Sequence, residues 1–181
     1  TDFKVIGTGN LNNLEDSRFE GHMKMKGLKV RPKNFLSPLK VDASLKFKEN
    51  RLDIRSGNIS SDESDVEFSG VYQRGDSSTL NLNINGGRLN IDEFFPEPQS
   101  DEISLIDQLN QSEFFATGKG EIIFNLDKLD YKLFTLDHVA GNIVLGNRKI
   151  EVKDLVFNSN KSIKSGGQIL INEQGVGQFK A

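Results

Sequence analysis

The chain has 181 residues, a formal net charge of −3 and no cysteine. That length suits one domain or two small ones, a hydrophobic content of 35% supplies a core and excludes a disordered chain, and the charge offers no electrostatic basis for binding nucleic acid or an anionic membrane surface. Without cysteine there are no disulfides and no thiolate metal sites, and no apolar run approaches the roughly 18–20 residues of a membrane span.

No signal peptide is visible: Thr1-Asp2-Phe3 starts inside a strand-like pattern, so the chain reads as a segment of something longer whose address lies elsewhere. Phe3 and Val5 alternate before Gly7 and Gly9, and residues 1–18 read as the end of a preceding repeat. Phe19 to Val30 predicts a strand or two, with Gly21 and Gly27 at bulges or bends and Met23 and Met25 on the face of Phe19. Arg31 to Asn34 is a loop, and Pro38 opens the next strand, where its missing N–H is tolerated.

The clearest pattern runs from Leu39 to Tyr72. Leu39, Val41, Ala43, Leu45 and Phe47, then Leu52 and Ile54, then Val66 and Phe68, alternate with Lys40, Asp42, Ser44, Lys46, Lys48, Asp53, Arg55, Glu67 and Ser69. Period two places the apolar set on one face of a sheet and the charges on the other. Lys48 to Arg51 predicts a tight hairpin, Gly57 a bulge, and Ser60 to Asp65 an acidic, solvated turn. Leu80, Leu82 and Ile84 alternate with Asn81, Asn83 and Asn85, and Asn85-Gly86-Gly87-Arg88 predicts a turn into Leu89 and Ile91.

The texture then changes. Phe94 to Ser100, with two prolines, predicts a linker. Ser100 is positioned to cap a helix over 101–113, with Asp101 and Glu102 at its positive end and Ile103, Leu105, Ile106 and Leu109 as an apolar stripe. Such a helix serves either as a lid over the apolar face or as a plug at a sheet edge. Strands resume with Ile122, Phe124 and Leu126, then Leu129, Tyr131 and Leu133, then Val139 to Leu145.

The second half repeats the first. Leu45 pairs with Ile143, Phe47 with Leu145, Leu52 with Ile150, Ile54 with Val152 and Ile59 with Phe157, each 98 residues apart. Repeated amphipathic strand units stack into one continuous sheet. The expected organisation is therefore 1–18 as the end of a preceding repeat, 19–95 as the first β repeat, 96–117 as linker and helix, and 118–181 as a second, truncated repeat.

Two stretches carry a family resemblance. Pro38 to Gly70 reads PLKVDASLKFKENRLDIRSGNISSDESDVEFSG, and Val139 to Gly167 reads VAGNIVLGNRKIEVKDLVFNSNKSIKSGG. Leu89-Asn90-Ile91-Asp92-Glu93-Phe94-Phe95 looks like a unit-closing Leu-x-Leu-Asp-x-Leu-Leu element, and Gly120 to Leu145 looks like a unit opening. Over about residues 19 to 179 the pattern resembles the C-terminal repeat region of AsmA-like proteins. The resemblance implies a curved, open, taco-like β-groove in a bridge-like periplasmic protein of Gram-negative bacteria. An N-terminal anchor outside this segment would hold it in the inner membrane. It further implies carriage of phospholipid acyl chains between inner and outer membranes, in support of outer-membrane biogenesis, with no catalytic residues and no cofactor.

Under that reading the groove lining is Leu45, Phe47, Leu52, Ile54, Val66, Phe68, Leu80, Leu82, Ile84, Ile122, Phe124, Ile143, Leu145, Ile150 and Val152. The alternative is a structural or assembly module of the envelope, whose apolar face is the dry inside of a closed β-sandwich and whose partners are proteins. A segment cut from an array would also leave unpaired strands near Phe3 and Phe179, open to self-association.

Catalytic and metal chemistry find no foothold. His22 and His138 have no His, Cys or paired carboxylate at ligand spacing and read as surface residues. Ser60 to Asp65 lacks the Asp-x-Asp-x-Asp-Gly spacing of a calcium loop. Gly7-x-Gly9 and Gly118-x-Gly120 lack the third glycine and following helix of a dinucleotide site. Asp127, Asp130 and Asp137 form no acid/base pair legible in the sequence.

Overall fold

Period-two alternation becomes strand throughout the structure, a computed structural model that describes residues 2–10, 13–31, 37–94, 113–146, 148–158, 164–171 and 177–180. The strands are β1 (Asp2–Asn10), β2 (Asn13–Val30), β3 (Leu39–Lys48), β4 (Arg51–Ser60), β5 (Asp65–Gln73) and β6 (Thr79–Asn90). After two short helices, α1 (Ile91–Phe94) and α2 (Glu113–Thr117), follow β7 (Lys119–Tyr131), β8 (Phe134–Gly146), β9 (Lys149–Asn158), β10 (Lys164–Ile171) and β11 (Gly177–Lys180). All eleven lie in one sheet in chain order, which is open, with β1 and β11 as its edges. A closed β-sandwich is therefore not what forms: there is no second sheet among the described residues to cover the apolar face.

Neighbouring strands pair antiparallel except β6 and β7, which run parallel. This corrects the wholly antiparallel expectation. A parallel pair needs a crossover of a dozen or more residues, and the stretch between Asn90 and Lys119 supplies it. At its start, the Asn90 Oδ1 caps α1 by accepting the Asp92 N–H at 3.0 Å. At its end, the Gly118 N–H closes α2 on the Phe114 carbonyl at 2.7 Å, and the Lys119 N–H binds the Ser78 carbonyl at 2.9 Å. The helix expected over 101–113 lies outside the described residues except for Glu113, where α2 begins.

Local chemistry accounts for the turns and their exceptions. The hairpin at Lys48–Arg51 forms with Glu49 in the left-handed region at φ 51°. Asn85-Gly86-Gly87-Arg88 does not turn: Val66 pairs with Gly86 and Asp65 with Arg88, leaving Gly87 as the extra residue of a bulge in β6. Pairing on both flanks of β6 overrides the local turn preference, and a Cβ at Gly86 would stand 2.6 Å from the Asp65 carbonyl oxygen. Leu129, Tyr131 and Leu133 do not form a separate strand: β7 runs through to Tyr131, and Leu133 sits in the turn, 98% exposed. The boundary expected after residue 18 falls inside β2.

The buried hydrophobic side chains among the described residues are Leu39, Ala43, Val66, Leu126 and Val139, the last of them fully buried. Most belong to one cross-strand row, Val66–Gly86–Leu126–Val139, near the end of β6 from which the chain enters α1. Truncation here leaves a cavity that neighbours cannot fill, whereas truncation of a half-exposed side chain does not. Leu126→Ala is expected to cost about 2–5 kcal/mol, and Leu82→Ala clearly less, measured as the shift in urea midpoint.

Candidate functional site

The register determines which side chains share a face, because directly paired residues point the same way. One row runs Met23, Leu45, Ile54, Gly70, Leu82, Ile122, Ile143, Val152, each paired with the next across seven strand junctions. A second row runs Phe47, Leu52, Tyr72, Leu80, Gly120, Leu145, Ile150. A third runs Met25, Ala43, Gly57, Phe68, Ile84, Phe124, Gly141. The fourth, Val41, Ile59, Val66, Gly86, Leu126, Val139, contains three of the five buried side chains, and Ala43 of the third row is a fourth.

Every residue expected to line a groove thus lies on one face, in these rows. All are half-buried except Val66, which is 7% exposed and belongs to the fourth row. The face is consequently buried at Val66, Leu126 and Val139 along one rim and at Ala43 in the third row, and partly solvent-accessible elsewhere. On the second row Tyr72 meets Phe114 of α2, ring centroids 6.2 Å apart, so the crossover touches the apolar face at the opposite rim.

Three phenylalanines lie down rather than stand up. The far end of the Phe68 ring fills the space above Gly57, where a Cβ would be 2.2 Å from Cζ. Phe124 does the same over Gly141 (2.8 Å) and Phe47 over Gly21 (2.6 Å).

The opposite face carries Lys46 paired with Asp53, Asn81 beside Glu121, and Asn85 beside Asn125. Its ion pairs, Arg51–Asp53 at 2.8 Å and Lys153–Glu151 at 3.1 Å, are partly exposed and contribute little. Ile123 and Val156 are apolar exceptions there, 50% and 46% exposed. A depression of about 630 Å3 on this face is bordered by Lys24, Lys26, Asp42, Arg55 and Glu67, beside the bulges of β2 and β4. Its mixed charges select no ligand.

Two polar clusters stand near the rim of Val66, Leu126 and Val139. Glu93 on α1 is 5% exposed, and its Oε2 accepts the Ser61 hydroxyl at 2.5 Å and the Ser64 hydroxyl at 2.6 Å. Ser61 Oγ in turn accepts the Ser64 N–H at 3.0 Å, and Ser64 Oγ accepts the Asn90 N–H at 3.0 Å. The turn after β4, expected to be merely solvated, therefore docks α1. The available signal was the Ser-x-x-Ser spacing, which suits a hydroxyl-capped turn; Glu93 gave none. In the second cluster Asp130 accepts from Arg88 Nε at 2.6 Å and from the Thr135 hydroxyl at 2.6 Å.

His22 and His138 are exposed, as the sequence suggests, and His138 sits at φ 52° in the irregularity before Val139. Among the described residues no cluster of His, Asp or Glu is arranged to hold a metal ion.

Burial raises the Asp130 carboxyl, but hydrogen bonds from Thr135 and Arg88 and the Arg88 charge outweigh it and hold the group below the usual carboxylate range. The folded state therefore favours the ionised form. The resulting stability is present at neutral pH and is lost as pH falls from the ordinary Asp range, about 4, through the lower folded value. Urea midpoints followed from pH 7 to pH 3 should fall less steeply for Asp130→Asn than for the wild type.

A scan against protein-family models, a search of curated proteins and a search of solved structures each return no match.

Proposed function

We propose that this chain is a non-enzymatic segment of a bridge-like periplasmic protein, and that its apolar face is a curved, open groove carrying phospholipid acyl chains between membranes. The observation that carries the reading is the incomplete burial of most side chains in three apolar rows that cross the sheet, with no second sheet among the described residues to cover them. Monomeric proteins rarely leave a contiguous apolar patch this extended without a partner for it.

The dimensions suit the cargo. Seven strand residues span roughly 23 Å, wider than the roughly 15 Å depth of one leaflet's hydrocarbon. Each methylene left in water costs about 0.8 kcal/mol, so a tail needs cover over the whole crossing. Burial is non-directional, and a strip of Leu, Ile, Val and Phe holds a tail without fixing its position. Bulges in β2, β4 and β9 bend their strands in the manner a trough requires.

Two repeats make the groove extensible. β3 ends at Lys48 and β8 at Gly146; β4 spans Arg51–Ser60 and β9 Lys149–Asn158; β6 begins at Thr79 and β11 at Gly177, each pair offset by 98. Glu49 and Arg148 both adopt positive φ in the equivalent turns, at 51° and 57°. The parallel β6–β7 junction starts the second unit at the same rim as β6, so units can stack by translation. The groove reading places the parent protein in the periplasm, anchored in the inner membrane by a segment outside this one, and makes the β1 and β11 edges the places where further strands add.

The test is Phe47→Asp and Leu82→Asp against Lys46→Asp, with melting temperature and bound lipid measured together by calorimetry and mass spectrometry. The inward variants are expected to stay folded and lose lipid, because water reaches the new carboxylate; Lys46→Asp should change neither. In a dry core each inward charge would cost several kcal/mol of a stability near 5–15 kcal/mol. Unfolding of both variants, with no lipid on the wild type, would end the reading.

A further inference from the structure

We propose that the paired glycines and phenylalanines determine whether a hydrocarbon chain can pass along the groove: each glycine provides the space in which a ring lies flat, and so keeps the lane free of aromatic ridges. The inference rests on the acyl-chain reading above and adds to it the residues that set the depth of the site.

The third row carries the argument. Gly57 pairs with Phe68, Phe68 with Ile84, Ile84 with Phe124, and Phe124 with Gly141. The two rings lean outward, Phe68 toward β4 and Phe124 toward β8, away from Ile84 on the central strand β6. Each therefore lies along the direction that runs from strand to strand, which is the direction a tail would follow. A ring standing on its strand would instead project across that path.

The space is specific to glycine. The three nearest atoms to a Cβ at Gly57 are Cζ, Cε2 and Cε1 of Phe68, at 2.2, 2.5 and 2.6 Å. At Gly141 the Phe124 Cζ and Cε1 stand at 2.8 and 3.1 Å. Contacts under 3 Å cannot persist, so with alanine in place the ring has to move. Neither glycine has positive φ, so alanine introduces no φ strain; at Gly57 the close contacts are all with the ring, and at Gly141 the ring is nearest, with the Lys153 carbonyl oxygen next at 3.3 Å. In an ordinary sheet, glycine covered by a cross-strand aromatic repairs a weak spot; here the same pairing recurs at three places on one face, Gly21 and Phe47 included.

The experiment compares Gly57→Ala and Gly141→Ala with the wild type, using cis-parinaric acid fluorescence to measure binding, and circular dichroism and thermal melts to measure folding. Each alanine variant is expected to bind the fatty acid on the order of tenfold more weakly, about 1.4 kcal/mol, while keeping its strand spectrum. The doubles Gly57→Ala/Phe68→Leu and Gly141→Ala/Phe124→Leu remove the displaced ring and should restore binding to within about twofold of the wild type, a difference under about 0.5 kcal/mol. A purely structural role for the glycines predicts otherwise: lower melting temperatures, unchanged affinity of the folded fraction, and no rescue by leucine. That pattern, or wild-type affinity in both alanine variants, would overturn the inference while leaving the groove reading intact. A wild type that binds no cis-parinaric acid would overturn both.

Discussion

The structure depends on cross-strand register. Side chains alternate along a strand, so a slip of one residue would move a whole apolar set to the wrong face. The chain meets this constraint with bulges placed where its own alternation changes phase. In β2 the apolar positions pass from Met23 and Met25 to Leu28 and Val30, and the register shifts between Met25 and Leu28, with Gly27 at φ 62° and its N–H on Asp42 Oδ1 at 2.5 Å. In β4 they pass from Leu52 and Ile54 to Gly57 and Ile59, and the shift falls between Ile54 and Gly57. In β9 they pass from Ile150 and Val152 to Leu155 and Phe157, with Asp154 at φ 51° within the irregularity. Each bulge absorbs one residue and returns the following side chains to the apolar face.

The two rims of that face are treated differently. Along one, Val66, Leu126 and Val139 are buried, and Ser61, Ser64 and Glu93 tie the turn after β4 to α1. Lys132 contributes its N–H to Asp92 at 2.6 Å, and Arg88 joins β6 to Asp130 on β7. The polar links concentrate where the parallel junction leaves the sheet, which is where a crossover has to be held against it. The other rim has the Tyr72–Phe114 ring contact, with the Ser77 hydroxyl donating to the Thr117 carbonyl at 3.2 Å and the Lys119 N–H to the Ser78 carbonyl at 2.9 Å, and no buried carboxylate there among the described residues. The crossover is thus held to the sheet at both rims, by a buried carboxylate at one and by an aromatic contact with hydroxyl and backbone hydrogen bonds at the other.

Much of this was legible in the residues. The strand from Leu39 to Phe47, the two-residue hairpin after it and the single-faced distribution of Leu80, Leu82 and Ile84 follow from alternation and turn chemistry alone. Gly27 was legible as a bulge because the alternation breaks there, whereas the bulge expected at Gly57 falls just before it, at Arg55 and Ser56, and Gly57 itself is paired with both Ala43 and Phe68. Other features were not, for physical reasons. Asn-Gly-Gly at 85–87 prefers a turn in isolation, and only strands on both sides keep it extended. Gly21 is not a bulge but a close approach, its Cβ position meeting the Lys4 carbonyl oxygen at 2.4 Å and the Phe47 ring at 2.6 Å, contacts to distant residues that no local rule exposes. The parallel pairing of β6 and β7 depends on where a 28-residue connection returns, which periodicity does not encode. The burial of Glu93 depends on two serines some thirty residues upstream.

An open apolar face also alters how stability and ligand are related. The buried side chains among the described residues are few, and the rows beside them keep part of their surface in water. That residual surface is unfavourable at roughly 25 cal/mol per Å2, and the free energy is recovered whenever hydrocarbon covers it. In the proposed function an acyl chain therefore completes the core while remaining cargo. Anything that binds the folded state alone stabilises it in proportion to the logarithm of its concentration over its dissociation constant. Because burial has no preferred direction, this stabilisation is nearly the same at each position along a row of uniform depth. Flat rings and small residues would then matter more than any single strong contact, since a deep local minimum would trap the chain that the groove has to release.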